Sequence, residues 1–370
     1  MAVVKFGDIV RDVKINVDRT SNPYEHYVAG DHMDSEDLTI HRYGNFATDD
    51  VGPAFTRIFK PGQVLYGSRR TYLKKVAVAD FEGICANTTF VLESKDDSLF
   101  DNRLLPFIML SDAFTRWSIA HSKGSTNPYV LFSDLVGYEF DLPPIAEQKV
   151  LADKLWAAYR LKESYKKLLA ATEKMVKSQF IEMFGNPVTN NKGWNTLPIK
   201  DVAPEAPSIE KQTGKVWILN LDMIESNTGK VVEKVFENDS NLLSVAPFDE
   251  GNVLYSKLRP YLNKVVIPDG KGYATTELVP LRPNQKLLNL TFFCYLLRGD
   301  DFVTYANSIS TGTKMPRMPL NDLRKFLCIL PPMEKQNEFE EIARQADKSG
   351  FELRKSIEAI DAVIKSLINC

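Results

Sequence analysis

Cysteine and histidine are scarce in this sequence, four of each among 370 residues. The cysteines, Cys85, Cys294, Cys328 and Cys370, are scattered. None pairs at the two-residue spacing of metal or redox motifs, so packing or a free thiol is expected of them. Of the histidines, His26, His32 and His41 share one acidic stretch. The second half of the chain has no histidine, so surface or core roles are expected over metal ligation. Missing too are a Gly-x-Gly-x-x-Gly turn, a Walker A loop and a Gly-x-Ser-x-Gly elbow, which leaves no motif for nucleotide binding or serine hydrolase chemistry. Long apolar runs are absent: the stretch from Leu104 to Leu110 is far too short to span a bilayer, and Met1-Ala2-Val3-Val4-Lys5 has no leader-like apolar core. A cytoplasmic protein with no membrane partner is expected.

What the sequence does have is a repeat. Phe59-Lys60-Pro61-Gly62-Gln63-Val64-Leu65-Tyr66 returns as Phe248-Asp249-Glu250-Gly251-Asn252-Val253-Leu254-Tyr255. Likewise Arg70-Thr71-Tyr72-Leu73 returns as Arg259-Pro260-Tyr261-Leu262, and Ser122-Lys123-Gly124-Ser125 as Ser310-Thr311-Gly312-Thr313. Leu142-Pro143-Pro144 with Gln148 is answered by Leu330-Pro331-Pro332 with Gln336. Solenoid units repeat every 20 to 50 residues or so. This period is much longer, and a whole domain is duplicated.

The formal net charge is only −2, but the charges are segregated. Residues 62–78 carry Arg69, Arg70, Lys74 and Lys75 without an acid, and residues 251–267 carry Lys257, Arg259 and Lys264, again without one. Each patch contains tyrosines, Tyr66 and Tyr72 in one and Tyr255 and Tyr261 in the other. Basic side chains can neutralise phosphates, and arginine can also read guanine in a major groove. Guarded strand edges are the plainer reading of such lysines.

Short β-branched runs punctuated by turns fill each half, with one short helix expected around residues 104–119 and another around 290–305. Then the character changes. After Pro143-Pro144 no proline or glycine occurs from residue 145 to 184, a run about 60 Å long as helix. Leu151, Leu155, Ala158, Tyr165, Leu169, Thr172, Val176, Gln179 and Met183 mark its seam, with Lys162 in one apolar slot. The second copy repeats this through Phe339, Ala343, Ala346, Leu353, Ile357, Ile360, Ile364 and Leu367, interrupted by Gly350. An isolated helix gets too little from its own hydrogen bonds, so the two are expected to pack together. The fold expected is α/β (α+β): two duplicated globular domains, residues 1–142 and 187–330, joined by two long antiparallel coiled-coil helices, residues 143–186 and 331–370, with pseudo-two-fold symmetry.

The duplicated Leu-Pro-Pro-x-x-x-Gln, the run Leu258-Arg259-Pro260-Tyr261-Leu262-Asn263-Lys264, and the junction Phe184-Gly185-Asn186-Pro187 followed by Gly193-Trp194 together resemble the specificity subunits of type I restriction-modification systems. The resemblance covers the full chain. It implies two target-recognition domains, each reading half of a bipartite site in double-stranded DNA, and central helices that act as a ruler. It also implies that two modification (adenine-N6 methyltransferase) subunits dock on the helices and that motor-nuclease restriction subunits join them. S-adenosylmethionine would then belong to the methyltransferase partner, ATP and Mg2+ to the restriction partner, and no cofactor, metal or catalytic residue to this chain. The residues expected to contact DNA are Arg69, Arg70, Lys74, Lys75 and Ser125 in the first half, and Lys257, Arg259, Lys264, Thr313 and Lys314 in the second. Leu161, Leu168 and Phe180 are the expected docking face. Residues 23–52 and 204–241 align poorly, and Trp194 and Trp217 have no tryptophan counterpart in the first half, so an asymmetric target is expected.

Two rival readings have specific residues to test. A nuclease would use Asp80 with Glu93-Ser94-Lys95 to bind Mg2+. The second half has Arg282 and Asn284 where Glu93 and Lys95 would repeat, which weighs against it. A coiled-coil scaffold would have no need of duplicated basic patches. Methyltransferase chemistry within the chain is not expected either, because neither Leu142-Pro143-Pro144-Ile145 nor Leu330-Pro331-Pro332-Met333 has the acid or amide that resembles the adenine-holding loop of amino-methyltransferases. Asn127-Pro128-Tyr129 is one proline short and reads as a turn.

Overall fold

The run without proline or glycine is a single helix, Ile145–Phe184, in a computed structural model that describes residues 2–18, 21–208, 212–239 and 244–369. The second long helix starts 188 positions later (333 − 145) and runs Met333–Ile368. The chain divides into two compact units, residues 1–166 with 355–370 and residues 167–354, so the division passes through both long helices. Among the described residues no helix is long and apolar enough to cross a membrane.

In the first unit, strands Val10–Asp12, Thr89–Ser94, Val64–Gly67 and Val76–Val78 form an antiparallel sheet in that order. A second sheet has the order Gly44–Asn45, His26–Val28, Gly83–Ala86, Phe55–Phe59, with a parallel pair at its centre. Ala2–Lys5 pairs with Glu139–Leu142 and so ties the start of the unit to the entrance of the helix.

The second unit repeats this: Val265–Val266, Val253–Ser256 and Leu278–Leu281 in one sheet, and Val235–Asn238, Lys215–Leu219, Gly272–Thr275 and Val245–Phe248 in the other. Thr196–Pro198 pairs with Leu327–Ile329 at the equivalent entrance. Only Val10–Asp12 lacks a strand counterpart among the described residues, the isolated bridge Glu205–Leu281 standing in its place. Each expected single short helix is two helices: Leu105–Leu110 and Asp112–Ala120, and Leu290–Arg298 and Asp300–Ser308. Ser111 and Gly299, both in extended conformation, break them. Ser111 also caps the next helix by accepting the Phe114 N–H.

The duplicated glutamine has a physical reason. Gln148, 1% exposed, accepts the Asp101 N–H and donates to the Leu99 and Pro143 carbonyls at 2.8 to 3.0 Å. Gln336, 0% exposed, does the same with Asn289, Leu287 and Pro331. One buried amide thus fastens each long helix to the loop before the short helices. Gln336→Leu strands all three backbone partners, so chemical denaturation is expected to show a loss of about 2–4 kcal/mol. A loss near zero would mean that water replaces the amide.

Within each unit the long helices are antiparallel: Lys162 meets Asp361 in the first, while Leu169 lies beside Gly350 and Phe180 beside Phe339 in the second. The buried stripe of the first helix is shifted from the expected seam. It passes through Ala152, Leu155, Tyr159, Lys162, Val176, Phe180 and Phe184, whereas Leu151, Ala158, Gln179 and Met183 are only half-buried. Gly350 does not interrupt the second seam. It is buried within it, and a Cβ there would lie 3.3 Å from Leu169 Cδ1, so glycine lets the helices approach closely.

The cysteines Cys85, Cys294 and Cys328 are buried and unbridged. Burial pushes all three thiols above their ordinary value, which makes them packing residues rather than nucleophiles. Cys370 lies outside the described residues.

Candidate nucleic-acid interface

The basic segments fold into one loop, built twice. Strand Val64–Gly67 runs into a 3-10 turn, Thr71–Leu73, flanked by Arg70 (φ 50°) and Lys74 (φ 48°), both left-handed. Strand Val253–Ser256 runs into Pro260–Leu262, flanked by Arg259 (φ 50°) and Asn263 (φ 48°). Left-handed conformations at four non-glycine residues cost about 1–3 kcal/mol each and persist where the surroundings over-determine them.

The surroundings are a second loop, also built twice. Lys123 and Tyr129 exchange backbone hydrogen bonds (2.8 and 2.9 Å) around Gly124, φ +85°. Thr311 and Arg317 do so around Gly312, φ +97°. Arg70 N–H donates to the Pro128 carbonyl at 2.7 Å, and Arg259 N–H to the Pro316 carbonyl at 2.7 Å. Bridges Arg69–Tyr129 and Leu258–Arg317 complete the junction. Asn127-Pro128-Tyr129, read from sequence as a turn, is therefore half of the site.

This arrangement brings Arg69, Arg70 and the tip carrying Ser125 onto adjoining loops of the first unit, and Lys257, Arg259 and the tip carrying Thr313 and Lys314 onto adjoining loops of the second. Arg69, Arg70, Ser125, Thr313 and Lys314 are exposed, and Lys257 and Arg259 are half-buried. Arg259 Nε is buried with no hydrogen-bond partner. Tyr72 and Tyr261 stand out into solvent, 54% and 49% exposed. Two surface residues were not among the contacts expected from sequence, Tyr129 and Arg317, which occupy one position in the two copies. Carrying the repeat offset across the whole glycine loop would have shown them. Arg317 forks onto the Glu277 carboxylate at 3.1 to 3.3 Å.

Three expected contact residues are otherwise engaged. Lys74 binds Glu36 at 3.0 Å, Asp112 at 3.3 Å and the Leu110 carbonyl, and only 16% of its side chain is exposed. Burial alone would lower its pKa, but the two carboxylates outweigh that and raise it. It ties the loop to the end of a short helix, as Asn263 does in the second unit by donating to the Arg298 carbonyl. Lys75 donates to the Gly30 carbonyl at 2.5 Å and Lys264 to the Leu221 carbonyl at 2.6 Å. Tyr66 and Tyr255 are core residues, 2% and 3% exposed. Burial pushes Tyr66 up to about 12.

On the long helices Leu161 and Leu168 are exposed, 45% and 51%, but Phe180 is 3% exposed and stacks on Phe292. Phe180 is thus part of the second unit's core and is removed from the docking face. The nuclease constellation also dissolves. Glu93 is held by Arg11 (2.8 Å) and Gln63 (2.6 Å), and Lys95 donates to the Gly7 carbonyl, while Asp80 stands exposed.

Asp37, His41 and Glu163 place their ligand atoms within 4.8 Å of one another. The Lys166 ammonium already lies 3.1 Å from Asp37 and 2.8 Å from Glu163, so the group is an ion-pair network. Burial works to raise the Asp37 carboxyl, but the Thr39 N–H, the Tyr159 hydroxyl and Lys166 outweigh it, lowering the carboxyl from 3.8 to about 2. The stability this adds is present above the ordinary value and lost as pH falls toward the folded one. Asp37→Asn is therefore expected to cost about 2 kcal/mol at neutral pH, a gap that closes on titration to about pH 2.

A family model described as the type I restriction modification DNA specificity domain matches residues 29–174 and again 191–360. The chain is 23% identical over 292 residues to the type I restriction enzyme EcoDI specificity subunit of Escherichia coli, spanning 67% of this chain and 64% of that protein. It is 23% identical over 316 residues to the MjaVIII specificity subunit of Methanocaldococcus jannaschii, spanning 78% and 73%. A solved structure concerned with complex assembly and conformational transition of the type I R-M system shares its fold at TM-score 0.56 and 18% identity, covering 99% of this chain and 96% of that one. The S subunit of a type I restriction-modification system from M. genitalium does so at 0.57 and 13%, covering 99% and 94%. With one match in each half of its duplicated sequence, the chain belongs to the type I restriction modification DNA specificity family.

Proposed function

We propose that this chain is the DNA-recognition subunit of a type I restriction-modification complex, reading an asymmetric bipartite target with one loop pair per unit. The observation that carries the reading is the loop pair itself. Both units hold an arginine in left-handed conformation beside a glycine-turned tip by the same 2.7 Å hydrogen bond, while the residues around that frame differ. A shared frame with divergent side chains suits two readers of different sequences. Arg69, Arg70, Lys257, Arg259 and Lys314 would meet phosphates or base edges, and Ser125 and Thr313 would offer a hydroxyl or N–H to phosphate. Lys74, Lys75 and Lys264 would act by holding the loops.

The chain itself would carry out no chemistry. Two modification subunits would dock on the helices around exposed Leu161 and Leu168 and bring S-adenosylmethionine. Restriction subunits would bring ATP and Mg2+. A near-neutral chain with small basic patches would bind its target weakly alone and tightly in the complex. Fluorescence anisotropy of the co-expressed complex across a salt series tests this, because phosphate contacts make affinity fall linearly with log salt. Light scattering should give two modification subunits per chain. Full specificity and affinity from the chain alone would contradict the reading.

A further inference from the structure

The two loop pairs share their backbone bonding, which isolates the side chains that differ. Arg317 is bridged to Thr311 on one side and to Leu258 on the other, as Tyr129 is to Lys123 and Arg69. Met318 N–H donates to the Lys257 carbonyl at 2.9 Å, and Val130 N–H to the Ser68 carbonyl at 3.0 Å. Lys257 N–H donates to the Glu277 carbonyl at 3.1 Å, and Ser68 N–H to the Thr88 carbonyl at 3.0 Å. Tyr129 and Arg317 are thus equivalent, and so are Thr88 and Glu277. The first unit pairs a tyrosine with a threonine where the second pairs an arginine with a glutamate. Both members of the pair change together.

The second unit's pair is built to meet a planar edge of acceptors. Both Glu277 carboxylate oxygens lie 3.3 Å from Arg317 Nε, and Oε1 lies 3.1 Å from Nη2. This fork takes up one edge of the guanidinium. Nη1, on the other edge, has no hydrogen-bond partner among the described residues, and 46% of the side chain is exposed. An ion pair this exposed adds little to stability, so holding the fold does not account for it. What it does is fix the guanidinium plane, leaving Nη1 and the second Nη2 hydrogen side by side as free donors.

Guanine offers two acceptors, O6 and N7, on its major-groove edge, whereas adenine presents a donor beside its N7. Only guanine matches a pair of donors. Phosphate suits the site less, because the Glu277 carboxylate offsets the arginine charge and repels an anion but not a neutral base.

We infer that Arg317, held in place by Glu277, reads a guanine in the second unit's half-site, an inference that rests on the DNA-recognition reading above. Tyr129 has a single hydroxyl and does not match two acceptors, so the first unit has no counterpart of this contact. Arg70 and Arg259 are common to both units. A difference between the half-sites therefore has to come from positions such as this one.

Maps of methylated adenines from hosts expressing the complex with the wild-type chain, Arg317→Ala or Glu277→Gln test the inference. One half-site of the wild-type motif should contain a G·C pair at which Arg317→Ala accepts other bases, while the other half-site keeps its sequence. By fluorescence anisotropy, discrimination at that pair should fall about 10- to 100-fold. Glu277→Gln, which breaks the fork but removes no donor of the arginine, should relax the same pair and no other. The double variant Arg317→Tyr with Glu277→Thr carries the side chains that the first unit's frame already holds, so it guards against misfolding and should relax that pair too. Equal weakening for every sequence with a shallower salt slope, the mark of a phosphate contact, would overturn the inference. So would a bipartite wild-type motif that the double variant leaves unchanged or abolishes altogether, and in that case the DNA-recognition reading stands. A wild-type map without a bipartite motif would overturn both.

Discussion

Phe339→Ala is expected to lower the unfolding free energy by about 3–5 kcal/mol. Phe339 is 0% exposed, with ring centroids 5.3 Å from Phe180, 5.7 Å from Phe184 and 5.1 Å from Tyr295. Phe180 and Phe184 lie on the first long helix, Phe339 on the second and Tyr295 on a short helix, so one ring fastens three elements of the second unit. Removing it leaves a cavity that its three aromatic neighbours, Phe180, Phe184 and Tyr295, are too rigid to fill. A complex already assembled on the helices should then lose its modification subunits at lower denaturant than wild type. A measured loss below about 1 kcal/mol would show that the aromatic cluster can collapse.

Arg259→Ala in the assembled complex should weaken specific DNA binding by about 10- to 100-fold, equivalent to roughly 1.4–2.8 kcal/mol. If its partner is a phosphate, the slope of log affinity against log salt should also fall by about one. Arg70→Ala should act on the other half-site by the same measure. Lys74→Ala makes the contrast. Because its ammonium is held by Glu36 and Asp112, the variant should lose stability while the salt slope stays unchanged. Equal DNA defects at Lys74 and Arg259 would mean that the loops act only through their fold.

The comparison of Lys74 with Arg70 shows where the sequence was legible and where it was not. Repeat offset and the absence of proline and glycine located both long helices and both loops, since backbone geometry follows from those residues directly. Which basic side chains are spent on carbonyls and acids depends on partners distant in sequence, such as Gly30 for Lys75 and Leu221 for Lys264. No local pattern encodes that. The helix seam erred in phase for a related reason. Steps of three and four fit several neighbouring stripes, and the choice was decided by which large side chains meet aromatic partners, Tyr159 and Phe180 rather than Ala158 and Gln179. Lys162 could be recognised as an exception in the seam, but its resolution needed Asp361 from the other helix. Gly350 read as an interruption because glycine weakens an isolated helix. Packed against Leu169, the same missing side chain is what permits contact.

The most direct test of the central claim is a map of methylated adenines, by single-molecule sequencing, in a host that expresses this chain with its modification subunits. Two units that share a loop frame but differ in its side chains predict two different short sequences separated by a fixed gap, with Arg259→Ala relaxing only one of them. A palindromic, uninterrupted methylated motif, or an Arg259→Ala variant that relaxes both halves alike, would contradict it.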